Sequence, residues 1–138
     1  MILNSQEKKI GFVGVGRMGA NMARNLKDKG YQISCVHDLN LEVASSLADE
    51  LGCSHASTLA EVTAQADIVL TVVTNDAAME SIFFGADDNL FQNAKDTLFI
   101  NCATLSPAMH VRLESAAAEN GSTTLEGCMA SSITQARE

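Results

Sequence analysis

The apolar run Ile10–Val15 passes directly into Gly14-Val15-Gly16-Arg17-Met18-Gly19, and a helical pattern begins inside those six residues. Three glycines at this spacing, between a strand and a helix, each meet a separate steric demand. Gly14 permits the tight turn out of the strand. Gly16 has no Cβ, so another group can approach the backbone closely. Gly19 lets the helix lie against the sheet. Behind the loop, Met18, Met22 and Leu26 recur every four residues, Lys27 and Lys29 fall in the last turn, and Gly30 is a stop signal. The start of the chain therefore reads as a strand, a tight turn and a helix packed back on the strand.

The same alternation continues. Strands are expected at Tyr31–Val36, Ile68–Val73, Thr97–Asn101 and Thr123–Glu126, as near-continuous apolar runs of the kind that parallel strands covered on both faces require. Val43, Leu47 and Leu51 form a second helical stripe closed by Gly52. Thr58 and Glu61 are spaced as a capping box ahead of Val62, and Ser106-Pro107 opens an Ala-rich helix that stops at Gly121. Strand and helix alternating in this way predict a doubly wound α/β domain, with a mostly parallel sheet and helices on both faces. One domain over residues 1–138 is expected. Ala130–Glu138 completes no element and reads as an interruption, so the chain is expected to be a piece of a longer protein.

Charge and composition exclude other classes. The chain holds 9 Lys+Arg against 17 Asp+Glu, an acidic balance unsuited to nucleic acid. Lys8, Lys9, Arg17, Arg24, Lys27 and Lys29 make residues 1–30 locally basic, so this stretch is expected to suit a small anion. The apolar runs are too short to span a bilayer. Cys35, Cys53, Cys102 and Cys128 include no C-x-x-C pair and are expected to be reduced thiols of a cytoplasmic protein, with Cys102 a packing thiol. His37, His55 and His110 lack metal-ligand spacing, so no metal site is expected. His110, Lys95 and the Asp87-Asp88 pair read as surface groups, and Met18, Met22, Met79 and Met109 as packing residues. A P-loop would need Gly-Lys-Ser/Thr, which does not occur. A short-chain dehydrogenase would need Tyr-x-x-x-Lys, but the single tyrosine, Tyr31, has Cys35 at that spacing. A methyltransferase loop would want glycine where Met18 stands.

Unpaired N–H groups and the positive end of the helix dipole at Gly14–Gly19 suit a diphosphate, and Arg17 can add a charged contact. The next strand leads into Asp38, 19 residues beyond Gly19. A carboxylate there can accept both hydroxyls of an adenosine ribose and repel a 2′-phosphate, which points to NAD rather than NADP. In the competing reading the turn is only structural and Asp38 caps the helix starting near Leu41.

Residues 11–30 (GFVGVGRMGANMARNLKDKG) resemble the N-terminal signature of the β-hydroxyacid dehydrogenases, which include 3-hydroxyisobutyrate dehydrogenase and are related to the coenzyme domain of 6-phosphogluconate dehydrogenase. The resemblance implies that Val73-Thr74 borders the cofactor, with Val73-Thr74 replacing a Leu-Pro. It implies that Thr104 lies near the nicotinamide ribose, in a segment where Asn101 and Ala103 depart from the family pattern. It places the substrate-binding segment on Ala130, Ser131 and Ser132, with Ala130 replacing the expected serine. The implied activity is hydride transfer between a nicotinamide cofactor and a short 3-hydroxy acid or semialdehyde, in a homo-oligomer. The family's catalytic lysine lies on a later helix, so no catalytic residue is expected in this chain, and the fragment alone should be inactive. Two alternatives remain: a non-catalytic dinucleotide-binding module, and an imine-reductase-like relative.

Overall fold

In a computed structural model, residues 7–127 are described. They form β1 (Lys9–Val13), α1 (Arg17–Asp28), β2 (Gln32–His37), α2 (Leu41–Leu51), β3 (Ser54–His55), α3 (Leu59–Gln65), β4 (Ile68–Thr71), α4 (Asp76–Phe84), β5 (Leu98–Asn101), α5 (Pro107–Glu119) and β6 (Thr123–Glu126). The sheet runs β3-β2-β1-β4-β5-β6 and every pairing is parallel. This is the expected doubly wound architecture, and the strand order reverses between β1 and β4, where ligands of such sheets bind.

Side-chain alternation along the strands divides the interior in two. Phe12, Val36 and Leu70 point to the face carrying α1 and α2, where they pack with Ala20, Ala23, Ala44 and Leu47. Val13, Cys35, Val69 and Phe99 point to the other face, against Val62 of α3, Met79 and Phe83 of α4 and Leu113 of α5. A single period-two pattern thus serves both layers. On the second face, Phe83 lies 5.0 Å from Phe91 and 5.2 Å from Phe99, ring centre to ring centre, and Phe83 meets Phe99 edge-on. Such pairs add about 0.5–1.5 kcal/mol each beyond their area.

Several boundaries differ from the sequence expectation for physical reasons. β1 ends at Val13 and β4 at Thr71, because Gly14-Val15 and Val72-Val73 leave the sheet as loops although they remain apolar. Helix α1 touches the sheet through Gly19, Ala20 and Ala23. The Met22–Leu26 row flanks that contact, since only small residues allow the helix so close. β3 has two residues and no apolar run, and α4 has little amphipathic pattern; both were beyond the sequence reading.

The surface assignments of Asp88 and His110 need correction. Asp88 is half-buried and accepts hydrogen bonds from Leu59 N at 2.7 Å and Ala60 N at 3.0 Å, closing the N-terminus of α3. His110 Nδ1 lies 3.1 Å from Glu126 Oε1, joining α5 to β6. The basic character of residues 1–30 also divides. Lys8 and Lys9 lie at the start of β1 while Lys27 and the C-cap Lys29 lie at the end of α1, at the far end of the sheet from the glycine loop. Arg24 forms a two-point pair with Glu50 of α2, at 2.6 and 2.9 Å. Arg17 alone of the six bases stands at the loop, so the attraction for an anion there rests mainly on the backbone.

Candidate dinucleotide site

The three glycines occupy sterically distinct positions. Gly14 has φ +90°, and a Cβ there would lie 2.2 Å from the Val72 carbonyl oxygen. A Cβ on Gly19 would lie 2.1 Å from the Gly14 carbonyl oxygen. These two positions are closed by the protein's own backbone. Gly16 is exposed, and a Cβ on it would meet no atom within 4 Å. The fold has no packing reason to exclude a side chain at Gly16; the bare backbone there faces open space.

The N-terminus of α1 is open in the same way. Its N-cap, Gly16, makes no side-chain capping bond, and no acid stands in the first turn. By contrast Asn40, Thr58, Asn75 and Ser106 cap α2, α3, α4 and α5. The first helical bond runs from Ala20 N to Gly16 O at 2.9 Å, which leaves the N–H groups of residues 16–19 ahead of the ladder. A group of N–H dipoles without an anion in front of it is the arrangement that binds phosphate.

Asp38 follows β2 beside this loop. Its Oδ2 accepts from Val15 N at 2.9 Å and its Oδ1 from Asn40 N at 2.9 Å. The cap of α2 is Asn40, whose Oδ1 accepts from Val43 N at 3.3 Å, so Asp38 is not the helix cap of the competing reading. A carboxylate offers about four acceptor positions. Two are occupied by backbone N–H groups that fix its orientation, and two remain for a pair of hydroxyls. Leu39 is 96% exposed and Leu41 55% exposed at the following turn. Together they form an exposed apolar ledge directly after Asp38.

The loops after β4 and β5 leave the sheet at the same end as the glycine loop, because all the pairings are parallel. Val73 is half-buried, and Thr74 and Thr104 are exposed. At their base, the buried Thr71 donates from Oγ1 to Asn101 Oδ1 at 2.8 Å, which gives the departing Asn101 a structural partner. Cys102 is buried, and its Sγ lies 3.7 Å from the Ile100 carbonyl oxygen, as a packing thiol. Ala130, Ser131 and Ser132 lie outside the described residues. A cavity of ≈ 580 Å³, lined by Lys9, Lys27, Tyr31 and Gln32 among others, opens at the opposite end of the sheet and shares no residue with the loops.

Residues 9–137 match the family model for the NAD binding domain of 6-phosphogluconate dehydrogenase. A probable mitochondrial 3-hydroxyisobutyrate dehydrogenase of Dictyostelium discoideum is 31% identical over 123 residues, 88% of this chain and 37% of its own length. An NAD-dependent L-serine dehydrogenase of Pseudomonas aeruginosa is 32% identical over 114 residues, 83% of this chain and 38% of its length. Among solved structures, Mycobacterium tuberculosis 3-hydroxyisobutyrate dehydrogenase with L-serine aligns with a TM-score of 0.81 at 26% identity, covering 94% of this chain and 43% of that one. The chain thus spans less than half the length of these relatives.

Proposed function

This chain belongs to the NAD binding domain family of 6-phosphogluconate dehydrogenase, and from that premise we infer the role of each part of the crevice. The N–H groups that open α1 at Gly16 would hold the diphosphate of NAD, with Arg17 and Met18 alongside. Gly14 and Gly19 hold the turn and the helix in place for it. Asp38 receives the adenosine ribose hydroxyls and disfavours a 2′-phosphate, and Leu39 supports the adenine. Val73, Thr74 and Thr104 border the nicotinamide half. The bound cofactor supplies hydride acceptance or donation at its nicotinamide ring; the protein supplies orientation and charge.

The observation that carries this reading is the contrast at the three glycines, two closed by backbone and one open. Fluorescence titration with NADH and NADPH tests it. Tighter binding of NADH is expected, and no binding of either would overturn the reading.

Within a longer protein the domain serves an oxidoreductase acting on a short 3-hydroxy acid or semialdehyde. The names of the relatives support that substrate class, and Ala130, Ser131 and Ser132 are the proposed contacts. The proton-handling lysine comes from outside the described residues. Lys8 and Lys9 at the start of β1, Lys27 and Lys29 at the end of α1, and Lys95 before β5 all belong to the far end of the sheet, which supports this division of labour. The isolated chain is therefore inactive in this reading. A homo-oligomer is proposed as well, supported by the exposed Val111 on α5 and Leu125 on edge strand β6. A reducing, cytoplasmic setting is supported by the buried Cys35 thiol.

A further inference from the structure

The loops that carry Thr74 and Thr104 are tied together at two levels. At the base, Thr71 Oγ1 donates to Asn101 Oδ1 at 2.8 Å, and Cys102 N donates to the Thr71 carbonyl at 2.9 Å. At the tip, Asp76 in the first turn of α4 reaches across to Ser106, the N-cap of α5. Asp76 Oδ1 accepts from Ser106 N at 3.0 Å and Oδ2 accepts from Ser106 Oγ at 2.6 Å. Ser106 Oγ in turn accepts from Met109 N at 3.2 Å. One carboxylate thus joins the starts of two helices that are 30 residues apart in sequence. Four residues of each loop, 72–75 and 102–105, are held between base and tip. Asp76 and Ser106 each stand two residues from a threonine that the dinucleotide reading assigns to the cofactor.

No local need accounts for this connection. Asn75 already caps α4 by accepting from Ala78 N at 2.9 Å, and Ser106 caps α5 without Asp76. The two bonds to Ser106 also hold the Asp76 carboxyl below the ordinary carboxylate range, so the connection is made to a charged acceptor at neutral pH.

We propose that Asp76 and Ser106 are positioning residues for the nicotinamide half of the cofactor: they fasten the β4–α4 loop to the β5–α5 loop and keep Thr74 and Thr104 in one arrangement. The inference rests on the dinucleotide reading and adds a division within it. The adenosine and diphosphate half is organised by the glycine loop and Asp38, on β1, α1 and β2. The nicotinamide half is organised by this connection, on β4 and β5.

Calorimetric titration of the 138-residue chain with NADH and with ADP tests that division. In Asp76→Ala, two hydrogen bonds to a charged group are lost. If the joined arrangement is then populated about one tenth of the time, NADH binds about tenfold more weakly. ADP, which lacks the nicotinamide half, binds as before and also reports that the variant is folded. Ser106→Ala behaves similarly, and Ser106→Thr, which keeps the hydroxyl, restores NADH affinity. Equal weakening of NADH and ADP, or unaltered NADH affinity in Asp76→Ala, overturns the proposal. A wild-type chain that binds no NADH refutes the dinucleotide reading and this inference with it. Normal wild-type binding with unaffected variants refutes this inference alone.

Discussion

Adding one methyl group at Gly14 or at Gly16 separates folding from binding. At Gly14 the new Cβ would stand 2.2 Å from the Val72 carbonyl oxygen, on a residue with φ +90°. The strain of that backbone region for an L-residue is about 1–2 kcal/mol, and overpacking against a backbone atom adds about 1–3 kcal/mol. The carbonyl has little room to retreat, because Val72 N donates to Val13 O at 2.8 Å across the sheet. Gly14→Ala should therefore lose about 2–5 kcal/mol of stability. At Gly16 the Cβ meets nothing within 4 Å and φ is −66°. The lower chain entropy of alanine, worth about 0.4–1 kcal/mol, opposes its poorer N-capping, so Gly16→Ala should stay within about 1 kcal/mol of wild type. Its cost falls on binding. A methyl group where the diphosphate meets the N–H groups removes about 1.5–3 kcal/mol of charge-assisted bonding, roughly a 10- to 150-fold loss of NADH affinity. Urea unfolding and NADH fluorescence titration on both variants provide the readouts. A Gly16→Ala variant as destabilised as Gly14→Ala, or one that binds NADH normally, would refute these separate roles for the two glycines.

Other substitutions address other parts of the account. Asp38→Asn should reduce the preference for NADH over NADPH, read as the ratio of the two dissociation constants; an unaltered ratio removes Asp38 as the ribose reader. Phe83→Ala opens a cavity beside Phe91 and Phe99 and should cost about 3–5 kcal/mol in urea unfolding, whereas a loss below 1 kcal/mol would mean those rings do not form a packed cluster. Because the Asp76 carboxyl is held below its ordinary value of 3.8 by Ser106, its contribution to stability is present above that value and is lost as pH falls through the lower folded value. The stability gap between wild type and Asp76→Asn should accordingly be open at pH 6 and close under strongly acid conditions; a gap constant with pH would contradict the assignment. Burial raises the Cys35 thiol to about 11, so at pH 8 only about one thiol in a thousand is ionised, and a disulfide reagent should modify Cys35 only after unfolding.

The parts of the fold legible in the sequence were those whose causes are local. The turn at Gly14, the α1 stop at Gly30 and the Ser106-Pro107 start of α5 each depend on a few adjacent residues. So did the start of α3, although the detail differs: Thr58 Oγ1 accepts from Glu61 N, while Glu61 Oε2 accepts from Ser57 N instead of the cap residue. The parts missed depend on contacts distant in sequence. β3 exists because Cys35 and Val36 offer a strand edge to Ser54 and His55, not because those two residues favour extension. α4 shows only Met79 and Phe83 as buried residues, too few to set a period. Asp88 reads as a turn residue until the fold brings it under α3, and four of the six early bases read as an anion site until α1 carries two of them back to the start of β1. At the site, the glycines and Asp38 were visible as residues. Their steric division and the Asp76–Ser106 connection were visible only in three dimensions.

The central claim is that the open backbone at Gly16, ahead of the α1 hydrogen-bond ladder, is where the dinucleotide's diphosphate rests. Amide chemical-shift mapping of the ¹⁵N-labelled chain during titration with NAD⁺ examines that position directly. The account predicts the largest shifts at residues 16–19, with Asp38 next to them. Saturable shifts centred instead on Lys27, Tyr31 and Gln32, at the cavity on the opposite end of the sheet, would contradict it.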